Sequence, residues 1–95
     1  MKLLFCKKCD DVFKLQHDNY SFCKCGQVGG KYIGELKSEY FEDEKDIAIP
    51  LGFNNYSFYP AIKNQRYDGN GNEFTAFVVP KESKTFIKIK KPSFL

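Results

Sequence analysis

Four cysteines in two tight pairs constrain this chain more than any other feature. Cys6-Lys7-Lys8-Cys9 and Cys23-Lys24-Cys25-Gly26 are separated by a polar and aromatic arm running from Asp10 to Phe22. Two turns that each carry two thiols must converge if the sulfurs are to share one ion. A tetrahedral metal accepts four such ligands, with zinc–sulfur bonds of ~2.3 Å. Turn amides aimed at the thiolates offset their charge. Lys7, Lys8 and Lys24 lie inside the pairs, where positive charge favours the thiolate form. Gly26 follows the last cysteine and supplies a positive φ at little steric cost. The second pair is one residue shorter than the first and demands a tighter turn.

Two other uses of paired cysteines fit less well. A secreted disulfide framework needs a leader, and only Leu3, Leu4 and Phe5 stand between Lys2 and Cys6, against an apolar core of ~7–15 residues in a signal peptide. A cytoplasmic setting is therefore expected, and there paired cysteines favour metal over disulfide. A redox Cys-x-x-Cys opens a helix, whereas residues 7–13 alternate like a strand. A four-sulfur cage suits zinc or iron. The reading adopted is a structural zinc ion held by Cys6, Cys9, Cys23 and Cys25, with iron and free-thiol chemistry as alternatives. His17, the one histidine, is read as a turn residue because four sulfurs already complete a tetrahedral set. The pattern resembles the zinc-ribbon or rubredoxin-like group over residues 1–34. That resemblance implies metal binding and no particular activity.

The chain has 95 residues, which implies one domain, with a ribbon part at 1–34 and a β-rich part at 35–95. A chain this short buries roughly two-thirds of its unfolded surface, so a metal staple is useful to it. Ten Phe and six Tyr supply more aromatic area than a small core can absorb. The net charge is +3, and of 15 basic residues only Arg66 is arginine. Arginine is the usual bidentate reader of phosphate and guanine, so sequence-specific DNA recognition is disfavoured. Abundant Lys, Asn, Ile, Phe and Tyr point to AT-rich codons, as in a low-GC bacterium or its phage. No apolar run is long enough to span a membrane.

Residues 2–5, 11–15 and 31–36 read as the three strands of a ribbon. An acidic stretch, 35–46, reads as a solvated loop or a surface for a basic partner. Residues 46–51 form a short apolar strand. Ser57 is placed as the N-cap of one short helix over 58–65. Asp68-Gly69-Asn70-Gly71-Asn72 marks a loop. Residues 73–80 and 85–91 read as two antiparallel strands of a C-terminal hairpin. The expected fold is a small, mainly β (α+β) protein in which a zinc ribbon packs on antiparallel strands.

No nucleophile–base pair can be assembled, and a four-cysteine cage leaves no open metal position. The chain is therefore expected to be a non-enzymatic interaction module. A small phage or mobile-element adaptor or inhibitor that docks on a host protein is the first expectation. The alternative is a binder of a nucleotide-like anion or of nucleic acid. That alternative would use the 66–73 loop, the aromatics of 53–59 and the lysine-rich hairpin. Tyr56, Tyr59, Arg66, Asn70, Lys88 and Lys90 are the candidate contact residues, because aromatics stack bases and Arg66 can grip an anion in bidentate fashion.

Overall fold

A computed structural model describes residues 1–95. It contains eight strands and one helix. In chain order these are β1 (Lys2–Cys6), β2 (Val12–Lys14), β3 (Ser21–Phe22), β4 (Val28–Tyr32), β5 (Ser38–Glu42), β6 (Ala48–Phe53), α1 (Asn55–Lys63), β7 (Ala76–Val78) and β8 (Phe86–Lys88). Two four-stranded sheets result, ordered β2-β1-β6-β7 and β3-β4-β5-β8. The expected class, a small and mostly β protein with a single short helix, is what the chain forms.

The ribbon is built differently from the expectation. β1 and β2 pair antiparallel, with Leu3 opposite Lys14 and Phe5 opposite Val12. The third expected strand does not join them. β4 instead pairs with β3 and with β5 in the other sheet. The local reason is a tight return after β4, where the Ile33 N–H donates to the Lys37 carbonyl at 2.9 Å. That turn makes β4–β5 a hairpin and turns part of the acidic stretch into a central strand. Inside β5, Ser38 and Tyr40 are buried on one face and Phe41 on the other, and the Glu42 side chain is only 5 % exposed, so a strand covered on both faces lies beneath the run of acids.

The C-terminal hairpin is also corrected. β7 adds antiparallel to β6, and β8 adds parallel to β5, so the two strands lie in different sheets. Each reaches an edge where its aromatic is useful. Phe77 lies over Gly52, where a Cβ would come within 2.5 Å of its ring. Phe86, 2 % exposed, meets Tyr40 edge-on with ring centroids 5.4 Å apart. Burying Phe86 against Tyr40 and seating Phe77 on Gly52 outweigh the short turn that a local hairpin would use.

The helix starts earlier than expected. Asn54 is its N-cap and accepts the Tyr56 N–H at 3.0 Å. Ser57 lies inside the helix and accepts the Thr75 N–H at 2.9 Å. No helix residue is buried. The helix is held by Phe58, whose ring sits between Phe53 and Phe74 at 5.1 and 4.9 Å.

The core between the sheets comprises Leu4, Cys6, Leu15, Cys23, Val28, Tyr40, Ala48 and Phe86. Two of the cysteines thus belong to it. On the outer side of the second sheet, fully buried Phe41 packs edge-on against Tyr20 and Phe22. The acidic stretch meets the lysine-rich stretch and the first cysteine turn. Lys88 pairs with Glu42 at 2.9 Å, Lys91 with Asp43 at 3.5 Å, and Lys8 with Glu44 at 2.6 Å. No helix is long and apolar enough to cross a membrane.

Candidate metal centre

The β1–β2 turn presents Cys6 and Cys9, and the β3–β4 turn presents Cys23 and Cys25. Both turns are closed by backbone bonds of one design. Asp10 N–H donates to the Cys6 carbonyl at 2.8 Å, and Gly26 N–H to the Cys23 carbonyl at 3.0 Å. The shorter pair closes one residue sooner. Each closing residue is left-handed, with φ 57° at Asp10 and 78° at Gly26. Glycine takes that conformation freely, and Asp is among the few side chains that tolerate it. Each turn is also pinned by its first cysteine, whose N–H bonds the carbonyl of Asp11 or Val28 at 2.9 and 3.0 Å.

The two turns are tied to each other and to the fold. Lys24 N–H donates to Asp11 Oδ2 at 3.0 Å, across the gap between the turns. Lys7 N–H donates to the Ile47 carbonyl at 2.8 Å, which fixes the first turn to the approach of β6. Val28 N–H points at Cys23 Sγ at 3.4 Å, a contact that stabilises a thiolate ligand. The lysines inside the pairs are exposed, and Lys8 is neutralised by Glu44.

The four sulfurs lie within 4.8 Å of one another. Cys6 Sγ is 3.8 Å from Cys25 Sγ, which is 3.5 Å from Cys23 Sγ. Tetrahedral ligands on ~2.3 Å bonds stand about 3.8 Å apart, so the donor set fits a four-sulfur metal site. All four cysteines are free. Cys6 and Cys23 are buried, Cys9 is half-buried and Cys25 is exposed. The cage therefore has a sealed inner side and an accessible rim. His17 is remote from this chemistry and stacks on Tyr32 with centroids 4.5 Å apart.

The thiols hold their protons unequally. Burial pushes the Cys6 thiol up. At Cys9 partial desolvation opposes ionisation. The amides of Cys25 and Asp11, with the neighbouring sulfurs, outweigh it and bring the thiol down to about 7. At Cys25 the Gln27 amide favours ionisation, but desolvation and three adjacent sulfurs prevail and push it up to about 12. A metal must displace these protons, so its retention depends on pH. Bound metal is expected to be kept at neutral and alkaline pH and released as pH falls, because protons compete for the thiolates. Circular dichroism and a chromogenic metal indicator should report one coincident acid transition. Its midpoint should move to lower pH as free zinc is raised.

The remaining candidate residues are dispersed. Arg66 and Asn70 line one hollow of about 420 Å³ at the C-terminal end of the helix. There Arg66 Nε–H donates to Asn72 Oδ1 at 3.0 Å, while the Asn72 amide donates to the Ala61 and Asn64 carbonyls at 3.3 and 2.6 Å. Arg66 is thus joined to the residue that closes the helix end. Tyr59 borders a different hollow with Met1, His17 and Tyr32, and Tyr56 is 95 % exposed. Lys88 lines a third hollow of about 330 Å³ with Lys7, Tyr40, Glu42 and Lys81. Lys90 is exposed just beyond β8.

Sequence reasoning missed Asp11, Glu42 and Asn72. Asp11 carried one signal, its place two residues after Cys9 at a turn. Glu42 acts through Lys88, distant along the chain, and Asn72 through a loop closure onto Ala61, Asn64 and Arg66. No protein-family model, no curated protein and no solved structure matches this chain significantly. The cysteine cluster is compatible with a zinc-ribbon-like site on its geometry alone.

Proposed function

We propose that this chain is a small, non-enzymatic interaction module stapled by a structural zinc ion on Cys6, Cys9, Cys23 and Cys25. The observation that carries it is the convergence of four sulfurs within 4.8 Å. Four protein ligands fill a tetrahedral shell, as in structural sites; catalytic sites keep a position open. Only 15 of 95 residues are buried, so the fold gains much from a staple. Free thiols favour a reducing compartment, the cytoplasm.

A protein is the favoured partner. Glu42 and Asp43 pair with Lys88 and Lys91 of the lysine-rich stretch, and Glu44 with Lys8, which leaves less charge for a polyanion. Large apolar side chains stand out in the solvent, among them Leu36 at 75 % and Phe94 at 78 % exposed. The finer reading is a phage or mobile-element adaptor or inhibitor acting on a host protein, and its support is the AT-rich composition. A nucleotide-like anion in the Arg66–Asn70 hollow is the second reading, supported by that concavity.

Native mass spectrometry of the full-length, reduced protein tests the proposal. One zinc per chain and no bound small molecule is the expected spectrum. Metal-dependent turnover, a metal-free folded chain or a copurifying nucleotide would each overturn part of it.

A further inference from the structure

β7 is an edge strand with an unusual surface. Its three residues are all exposed, Phe77 at 50 % and Val78 at 66 %. Its inner side is bonded to β6. Asn54 N–H donates to the Thr75 carbonyl at 2.7 Å, Val79 N–H donates to the Pro50 carbonyl at 2.9 Å, and Phe77 stands opposite Gly52. Backbone groups alternate between the two sides of an antiparallel strand. Residues 75, 77 and 79 therefore face β6, and the N–H and C=O of Ala76 and Val78 face outward.

Edge strands are normally blunted by charge or brevity. β2 carries Lys14, β8 carries Lys88 with Lys90 beyond it, and β3 has two residues. The β7 segment carries no charge from Phe74 to Pro80, and opposite charges bound it: Glu73 before and Lys81 after. Neither forms an ion pair within the chain.

We infer that β7 pairs antiparallel with β7 of a second copy of this chain, about a two-fold axis through Phe77. In that register Ala76 lies opposite Val78 of the second copy, and these are the residues whose backbone groups face outward. Glu73 lies opposite Lys81 of the second copy, and the axis repeats the match. Sliding by two residues keeps the backbone bonds but loses both charge matches, so the charges select this register. Phe77 meets its own equivalent as a non-hydrogen-bonded pair, the closest cross-strand approach, and aromatic pairs favour that position. The sheet β2-β1-β6-β7 becomes one eight-stranded sheet, and both neutral edges are covered. A two-fold contact closes on itself and does not propagate.

Sedimentation equilibrium of the full-length, metal-loaded protein tests this pairing. A concentration-dependent dimer is expected. Glu73→Lys or Lys81→Glu alone turns two attractive pairs into two repulsive ones and should weaken association about tenfold. The double variant E73K/K81E should restore it, and a mixture of the two single variants should form heterodimers. Val78→Pro removes an outward N–H that β6 does not use, a position where edge strands accept proline. It should yield a folded monomer by circular dichroism. The charge variants lie outside the strand on exposed positions and keep the test valid should the proline variant fail to fold. A wild-type protein that stays monomeric up to ~1 mM, including one that instead pairs β7 with a strand of another protein, would overturn the inference. So would a double variant no tighter than the single ones.

Discussion

Cys6→Ser is expected to yield a chain that neither retains metal nor folds. Cys6 is fully buried in the inter-sheet core and belongs to the turn fixed to Ile47. Structural zinc contributes an apparent ~10–16 kcal/mol in small domains, comparable to the entire ~5–15 kcal/mol stability of a typical protein. Removing a sealed-side ligand therefore exceeds what the rest of this core supplies. Cys25→Ser removes an exposed ligand and should leave a weaker site with residual folding at high zinc. Heteronuclear NMR with zinc titration separates the outcomes. The wild-type spectrum should collapse with a chelator and return with zinc, and that of Cys6→Ser should stay collapsed. A dispersed, metal-free spectrum for Cys6→Ser would show that the cage is not the staple.

Gly30→Ala is expected to cost about 3 kcal/mol or more, a large loss for one methyl group. Gly30 lies opposite Tyr40 in the β4–β5 ladder. A Cβ there would stand 2.7 Å from the Glu39 carbonyl oxygen, 3.0 Å from Leu4 Cδ1 and 3.1 Å from Tyr40 Cβ. The first of these is backbone and cannot swing aside, so β4 would have to lift off β5 or off β1. Gly52→Ala is the informative contrast. Its Cβ would come 2.5 Å from Phe77, but that ring is half-exposed and can turn away, so the cost should be smaller. Gly34 has open space around it and serves as the control. Urea titration of the three metal-loaded variants measures the order, and equal midpoints for Gly30→Ala and Gly34→Ala would refute the packing account.

The cysteine cluster was legible because metal-ligand chemistry dictates such a spacing. Two thiol pairs on two turns have few other uses in a short chain. Gly26 was legible for the same local reason. Its counterpart Asp10 was not, since aspartate takes a left-handed φ in some turns and an ordinary one in most. The strands beside the cysteines were also visible as local patterns, but beyond the β1–β2 pair their partners were not. Sheet order depends on which edge each strand reaches, and residues 81–91 contain nothing that distinguishes a hairpin from a parallel addition to β5. In β5 the acids at 39 and 42 hid the inward alternation of Ser38 and Tyr40. Glu42 pairs with Lys88 across the sheet, so two stretches that read as opposite free surfaces are one internal contact. Arg66 stood out as the lone arginine at a loop, yet its bond to Asn72 depends on loop closure, which periodicity does not encode.

The parallel β5–β8 pairing has a consequence for how the protein is made. Synthesis runs from the N-terminus and domains fold as units, while contacts between distant residues form late. The Ser38–Phe86 pairing joins residues from opposite halves of the chain, and the Lys2 ammonium donates to the Thr85 carbonyl. Both cysteine turns leave the ribosome early and can capture an ion while β5 is still without its last neighbour. Tyr40 then waits for Phe86, so a metal captured at the cysteines would be seated while the core is still open. That stage closes only once Phe86 has been added and can pair beside Ser38.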